Sequence, residues 1–306
     1  MNTTNNLTPE TRAEDIRRAY DLYLRRGHER SELSDVSLDS MGYLLPKRLE
    51  AKLVNAMNTL SVLRPLCTEV TTAGDRALPI VNGHGKAAWV PEGHPIPQVR
   101  DAFDRVNLDS HKLAAIIRVT NELLKDSAVD IEAYLADTFA DRLAVGEEEA
   151  FIAGDGADKP LGLIHQAKVG CETQTAGATS IEDVLNLIFS IPEKHRRNGT
   201  LLMNDTTLLQ LYKQCAALDT NLWMGKDDTF FGYRIVRCAS MPDAASGSMP
   251  ILFGDFKQVY INNNGDRSIK RLDQLFIIND HVGFLMAERV GIKLTVPDAV
   301  KGLQVA

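Results

Sequence analysis

Gly83-His84-Gly85-Lys86 is the stretch whose residue types come nearest to a phosphate-binding loop. Such a loop cradles phosphate with backbone N–H groups and a lysine, and needs the spacing G-x-x-x-x-G-K-[ST]. Position 80 is Ile and Ala87 follows the lysine, so an ordinary loop turn is the better reading. Gly154-Asp155-Gly156 lacks the further acidic positions of a calcium loop and reads as a helix stop. The seven histidines, at 28, 84, 94, 111, 165, 195 and 281, include no H-x-x-x-H or H-E-x-x-H pair. His84 and His94 share one Gly/Pro-rich loop, where a shared metal is conceivable, but surface histidines are the better reading. No G-x-S-x-G elbow occurs. Cys67, Cys171, Cys215 and Cys238 are far apart without C-x-x-C spacing, and read as buried or half-buried free thiols in a reducing cytoplasm. Glu147-Glu148-Glu149 cannot converge on one site, because consecutive helix positions face different directions. These residues therefore predict no catalytic, cofactor-binding or metal site.

The elements that carry them follow from spacing. Pro9 to Arg26 holds Ile16, Tyr20, Tyr23 and Leu24 at helical spacing, and Gly27 ends it. This amino-terminal arm has too little apolar surface to fold alone. Met41 to Val70 reads as a short helix (Leu49, Leu53, Met57) leading into a strand. From Thr71 to Ser110 glycines and prolines punctuate a stretch too long for a structureless loop in a compact domain. A projecting hairpin resolves this, with Ala87 to Val90 paired to Ala102 to Leu108 around a Pro-rich tip. Trp89 and Phe103 on it then need a partner to bury them, which points to oligomerisation.

Lys112 to Val119 alternates as a strand does. Ser127 with Asp130 predicts a capping box for a long helix with Ile131, Leu135, Thr138 or Phe139, Leu143, Gly146 and Ala150 on one face. Gly146 costs about 1 kcal/mol inside a helix, so a close packing contact is expected there. Further on, Ser180 and Asp183 cap a helix that Pro192 ends. Leu201 to Met203 is a strand, and Asn204 or Asp205 caps the helix through Leu208, Leu211 and Cys215. Ile251 to Phe253, Gln258 to Ile261 and Val282 to Val296 read as strands. The irregular alternation makes the fold class α+β.

Length and composition fit a folded chain of one large or two modest domains. The first residues lack the build of a signal peptide, and no apolar run approaches the roughly 18 residues that span a bilayer. Between Asn121 and Ala150 nine acids face only Lys125 and Arg142, an excess of seven that equals the formal net charge of −7. A solvated helix face is the simple reading of that concentration. It argues against a nucleic-acid-binding protein of the usual basic kind.

An ordered set of segments carries a resemblance. Ala88-Trp89-Val90-Pro91-Glu92-Gly93, the strand from Lys112, Glu122-Leu123-Leu124-Lys125-Asp126-Ser127, Gly154-Asp155-Gly156 and Pro160-Leu161-Gly162-Leu163-Ile164 follow one another. Phe253-Gly254-Asp255-Phe256, Ala287-Glu288-Arg289-Val290-Gly291 and Val296-Pro297-Asp298-Ala299 close the chain. This order, from about Gly42 to Leu303, resembles the tailed-bacteriophage major capsid protein family, whose shared architecture is the Hong Kong 97 shell fold. The resemblance implies an arm and lead-in over 1–60, and a first peripheral part over 61–164 with an extended loop at about 75–110 and a spine helix at about 127–153. It implies an axial domain over 165–255 and returning peripheral strands over 256–306.

It further implies self-assembly into pentamers and hexamers of an icosahedral phage or prophage head around double-stranded DNA. No catalysis, cofactor or membrane is involved, and assembly takes place in the bacterial host cytoplasm. The extended loop, with Trp89, Glu92, Arg100 and Phe103, would lie on a neighbour, and the arm would order only in the shell. Asp130, Asp137 and Asp141 would face the DNA and repel it. Some members cross-link subunits through a loop lysine, an asparagine and a glutamate; here those positions fall near Gly93, Asp280 and Ala287, which implies no cross-links. Many members carry a coiled-coil scaffold region before the arm; its absence here implies a separate scaffold or none, beside a portal and possible decoration proteins. An encapsulin-type nanocompartment shell is the alternative within the fold, and a cytosolic α+β enzyme is the alternative outside it.

Overall fold

The computed structural model describes residues 20, 21, 23–25, 47–72, 76–83, 89–90, 102–126, 130–174, 177, 179–217, 229–265 and 267–306. The chain divides into two compact units. One takes its residues from 1–61, 112–148 and 265–289, the other from 62–111, 149–264 and 290–306.

The first unit is built on helix α1 (Lys47–Leu60), strand β4 (His111–Thr120), the short helix α2 (Asn121–Lys125) and the long helix α3 (Ile131–Ala153). Strand β11 (Ser268–Leu272) runs antiparallel to the front of β12 (His281–Leu294), from Ser268 opposite Ala287 to Leu272 opposite Gly283, and β4 also pairs with β12. One core joins Leu49, Leu53 and Met57 of α1, Ile131, Leu135, Phe139 and Leu143 of α3, and Phe284 and Met286 of β12. The expected apolar faces of α1 and α3 are thus the buried ones. The start of α3 differs from expectation. The helix begins at Ile131, and the Asp130 side chain accepts a hydrogen bond from the Ala133 N–H at 3.1 Å, so Asp130 itself satisfies an orphan amide of the first turn. Ser127 lies outside the described residues.

The arm also departs from expectation. Tyr20, Tyr23 and Leu24 are buried in this same core, so part of the arm is seated on its own chain without a neighbour. Three apolar side chains supply the surface that the polar remainder lacks.

In the second unit a six-stranded sheet has the order β5 (Lys168–Glu172), β13 (Val300–Gln304), β9 (Ile251–Gly254), β6 (Thr200–Met203), β8 (Tyr233–Arg237), β7 (Thr229–Phe230). Parallel pairs (β13 with β5, β6 with β8) mix with antiparallel ones, as an α+β fold requires. Every residue of β9 is buried, the pattern of a central strand covered on both faces. Helix α5 (Ile181–Ser190) carries the expected capping box between Ser180 and Asp183, and Asn204 caps α7 (Asp205–Ala217) by accepting from the Thr207 N–H at 2.8 Å. Between them α6 spans Glu193–Arg196. Also in this unit, β1 (Thr68–Thr72) runs parallel to β10 (Val259–Asn264), which pairs antiparallel with the end of β12. Helix α3 ends at Ala153, and the glycine that follows is required by packing: a Cβ on Gly154 would lie 2.0 Å from the Pro160 carbonyl oxygen. All four cysteines are free thiols, Cys215 and Cys238 buried and Cys67 and Cys171 half-buried.

Candidate assembly surface

The Gly/Pro-rich stretch does form a hairpin, but not the expected one. Ala102–Leu108 (β3) pairs antiparallel with Arg76–Gly83 (β2), from Arg76 opposite Leu108 to Gly83 opposite Ala102, with a register shift between Val81 and Gly83. Trp89 and Val90 are outside any strand, and residues 84–88 lie outside the described ones. The signal for β2 was the apolar run Ala77-Leu78-Pro79-Ile80-Val81, disguised by Pro79, which a two-stranded ribbon tolerates because it is all edge. Among the described residues β2 and β3 pair only with each other.

Trp89 is 104% exposed, a whole indole with no cover among the described residues. Phe103 sits in β3 opposite Val81. Glu92 and Arg100 lie outside the described residues, as do His84 and His94. Trp89 and Phe103 therefore belong to one stretch, while their two companions are not placed.

Asp130, Asp137 and Asp141 are all exposed on α3 and its cap. Asp137 and Asp141 stand one turn apart, so like charges adjoin on one face, beside exposed Tyr134 and Val145. The Arg142 guanidinium next to them donates to the Ile116 carbonyl oxygen at 2.7 Å. The acidic stretch is not one solvated face, however: Glu132 and Glu147 are buried. Burial, with Tyr23 and Glu132 close by, pushes the Tyr20 hydroxyl above its ordinary pKa.

A second exposed apolar feature escaped the sequence reading. Leu275, Ile277 and Ile278 stand out on the turn between β11 and β12, Ile278 at 96% exposure. The turn is anchored beneath them by contacts to the preceding elements. The Arg118 guanidinium lies 5.5 Å over the Phe276 ring, Asp280 adopts left-handed backbone (φ 54), and its carbonyl oxygen accepts from the Asn121 N–H at 3.2 Å. The signal was the uncharged run from Gln274 to Asn279 between two aspartates. Among the described residues no three His, Cys, Asp or Glu side chains are grouped to hold a metal, and no helix is long and apolar enough to cross a membrane. The described surface displays apolar side chains and charge, the means of association.

Residues 41–305 match the phage capsid family. The chain belongs to that family. Among its capsid relatives, the major capsid protein of Escherichia phage T5 is 25% identical over 182 residues, 54% of this chain and 39% of that protein's own length. The capsid of an empty GTA particle is 29% identical with a TM-score of 0.71, covering 81% of this chain and 90% of that one. The capsid of a native GTA particle is 26% identical with a TM-score of 0.68, covering 93% and 98%. An encapsulin of Synechococcus elongatus, 12% identical with a TM-score of 0.56 over 87% of this chain and 91% of that one, shares the fold. The fold is therefore the Hong Kong 97 shell fold.

Proposed function

We propose that this chain is a major capsid protein that packs with copies of itself, as pentamers and hexamers, into the icosahedral head of a phage or prophage around double-stranded DNA. The observation that carries this reading is the fully exposed Trp89 beside a two-stranded ribbon, within a chain of the phage capsid family. A ribbon of two strands is marginal alone, and a bare indole is a contact in want of a partner. Laid on the next subunit, with Glu92, Arg100 and Phe103, it makes a head-to-tail contact that closes into a ring.

Rings alone do not make a shell, because a contact that closes on itself leaves no bond between rings. A second contact is needed, and the turn bearing Leu275, Ile277 and Ile278 is suited to it. In this reading 1–60 is the arm and lead-in, 61–164 the first peripheral part, 165–255 the axial domain at the ring centre and 256–306 the peripheral return. Asp130, Asp137 and Asp141 face the genome and repel its phosphates, which keeps the DNA mobile. A scaffold, a portal and decoration proteins are the expected partners; assembly takes place in the host cytoplasm without catalysis, cofactor or membrane. The shell is held by contact alone, so a denaturing gel of particles shows single chains.

Negative-stain microscopy of the purified protein tests the proposal, with closed isometric particles expected. A small monomer in gel filtration with no particles overturns it. Shared fold makes an encapsulin-type nanocompartment the second reading, which genes for a terminase, portal and protease beside this one would exclude.

A further inference from the structure

The described part of the arm is tied to its own unit by two arginines, Arg271 reaching from β11 to backbone carbonyls of the arm and Arg25 reaching from the arm to backbone carbonyls at the end of α2. Arg271 in β11 donates to the backbone of the arm: its Nη1 bonds the Tyr23 carbonyl oxygen at 3.4 Å and that of Leu24. Its backbone N–H donates to the Tyr23 hydroxyl at 3.2 Å. Its Nε is aimed by Asp273, 2.6 Å away, and the Arg271 side chain is only 7% exposed. In return Arg25 donates from Nη1 to the Leu124 carbonyl oxygen at 3.3 Å and to that of Asp126 at 2.7 Å, where α2 ends. Its Nε bonds both carboxylate oxygens of Asp21, at 3.1 and 3.0 Å.

We propose that Arg25 and Arg271 form a reciprocal clasp that fastens the arm to its own subunit before any neighbour is present. Arg271 is then a positioning residue: it sets the point from which the arm leaves the subunit, and hence which neighbour the arm reaches. Burial of Tyr20, Tyr23 and Leu24 alone holds a short turn poorly against the backbone entropy of a polar segment. A guanidinium adds what those side chains lack, since its planar fork holds a carboxylate at Nε while Nη1 meets the carbonyls, and its hydrogen bonds are charge-assisted. Lysine offers a single nitrogen and cannot serve both positions of the fork at once. The consequence for arm reach rests on the shell reading; the clasp itself is a property of the single subunit.

Hydrogen exchange read by mass spectrometry on the full-length chain, kept unassembled at low concentration, tests the clasp. In wild type the peptide over residues 20–25 exchanges slowly without any neighbour. Arg271→Gln speeds that exchange on the order of tenfold or more, Arg25→Gln speeds it less, and Arg271→Lys falls between wild type and Arg271→Gln. Exchange in α3 stays unchanged in Arg25→Gln, which leaves the Arg271 bonds in place. The proposal fails if the wild-type segment exchanges as an unstructured peptide until shells form. It fails equally if both glutamine variants keep the wild-type rate, or if Arg271→Lys matches wild type. Should microscopy show no shells at all, the assembly reading is lost while the exchange pattern still decides the clasp.

Discussion

Arg267 and Glu288 form an ion pair 2.6 Å long, with side chains only 9% and 2% exposed, and the second carboxylate oxygen of Glu288 has no hydrogen-bond partner among the described residues. Two charges so far from water hold each other in place, and removing one strands the other. Glu288→Gln is expected to lower unfolding free energy by about 3–5 kcal/mol. The double replacement Arg267→Met with Glu288→Met costs less than that single change. Urea unfolding of the three chains checks this, and equal losses for single and double variants would refute it.

Two glycines of one helix region predict opposite signs. A Cβ on Gly146 would lie 3.5 Å from Leu113 Cδ1, ordinary contact, so the close packing expected there leaves room for a methyl group. Gly146→Ala therefore stabilises by roughly 0.5–1 kcal/mol through helix propensity. Gly154→Ala drives its Cβ into the Pro160 carbonyl and destabilises by about 1–3 kcal/mol or more. Thermal unfolding of both variants reads the signs directly.

His195 is buried, its Nε2 has no hydrogen-bond partner among the described residues, and burial followed by Lys194 pushes its pKa down against the opposing pull of Asp255 and Asp298. Above the unfolded value near 6.5 the ring is neutral in both states and costs nothing. As pH falls through that value the unfolded chain takes up a proton more readily, so stability declines. The urea midpoint should fall between pH 7.5 and 5, and fall less in His195→Gln; the same slope in both chains would remove His195 from the account.

Trp89→Ala and Ile278→Asp should each leave the unfolding free energy within about 0.5 kcal/mol of wild type, since both side chains stand in water. Their assembly products should differ. Without Trp89 subunits stay single, whereas with Asp at 278 rings form and fail to join. Sedimentation velocity and microscopy separate these products, and normal particles from either variant would dismiss its contact.

Reversing the exposed acids, Asp137→Lys with Asp141→Lys, should leave particle number unchanged while impairing genome packaging or ejection, because phosphate then meets attraction instead of repulsion. The ratio of absorbance at 260 to 280 nm in purified particles, with an ejection assay, reports it. Unaltered genome handling would end the repulsion idea.

Local chemistry was legible in the sequence. The box between Ser180 and Asp183, the Asn204 cap, the buried faces of α1 and α3 and the strand character of β9 and β12 all rest on residues within one or two turns of each other. So did the exposed tryptophan, because no apolar partner for Trp89 could be found nearby in the sequence. Where a reading failed, a longer-range choice had intervened. Both Ala87 to Val90 and Arg76 to Gly83 could have paired with β3, and pairing energy over whole strands chose the latter despite Pro79.

The tertiary structure alone decided that Glu132 and Glu147 leave the solvated face of α3, that β13 enters the sheet between β5 and β9, and that Arg271 reaches across to Tyr23 and Leu24. Each joins residues far apart in the chain, where many pairings have similar local propensity. Helix periods and caps are energies of neighbouring residues and are written in order along the chain. Strand partners and buried charges are settled only when distant segments compete for the same core, and that competition has no signature in the spacing of any one segment.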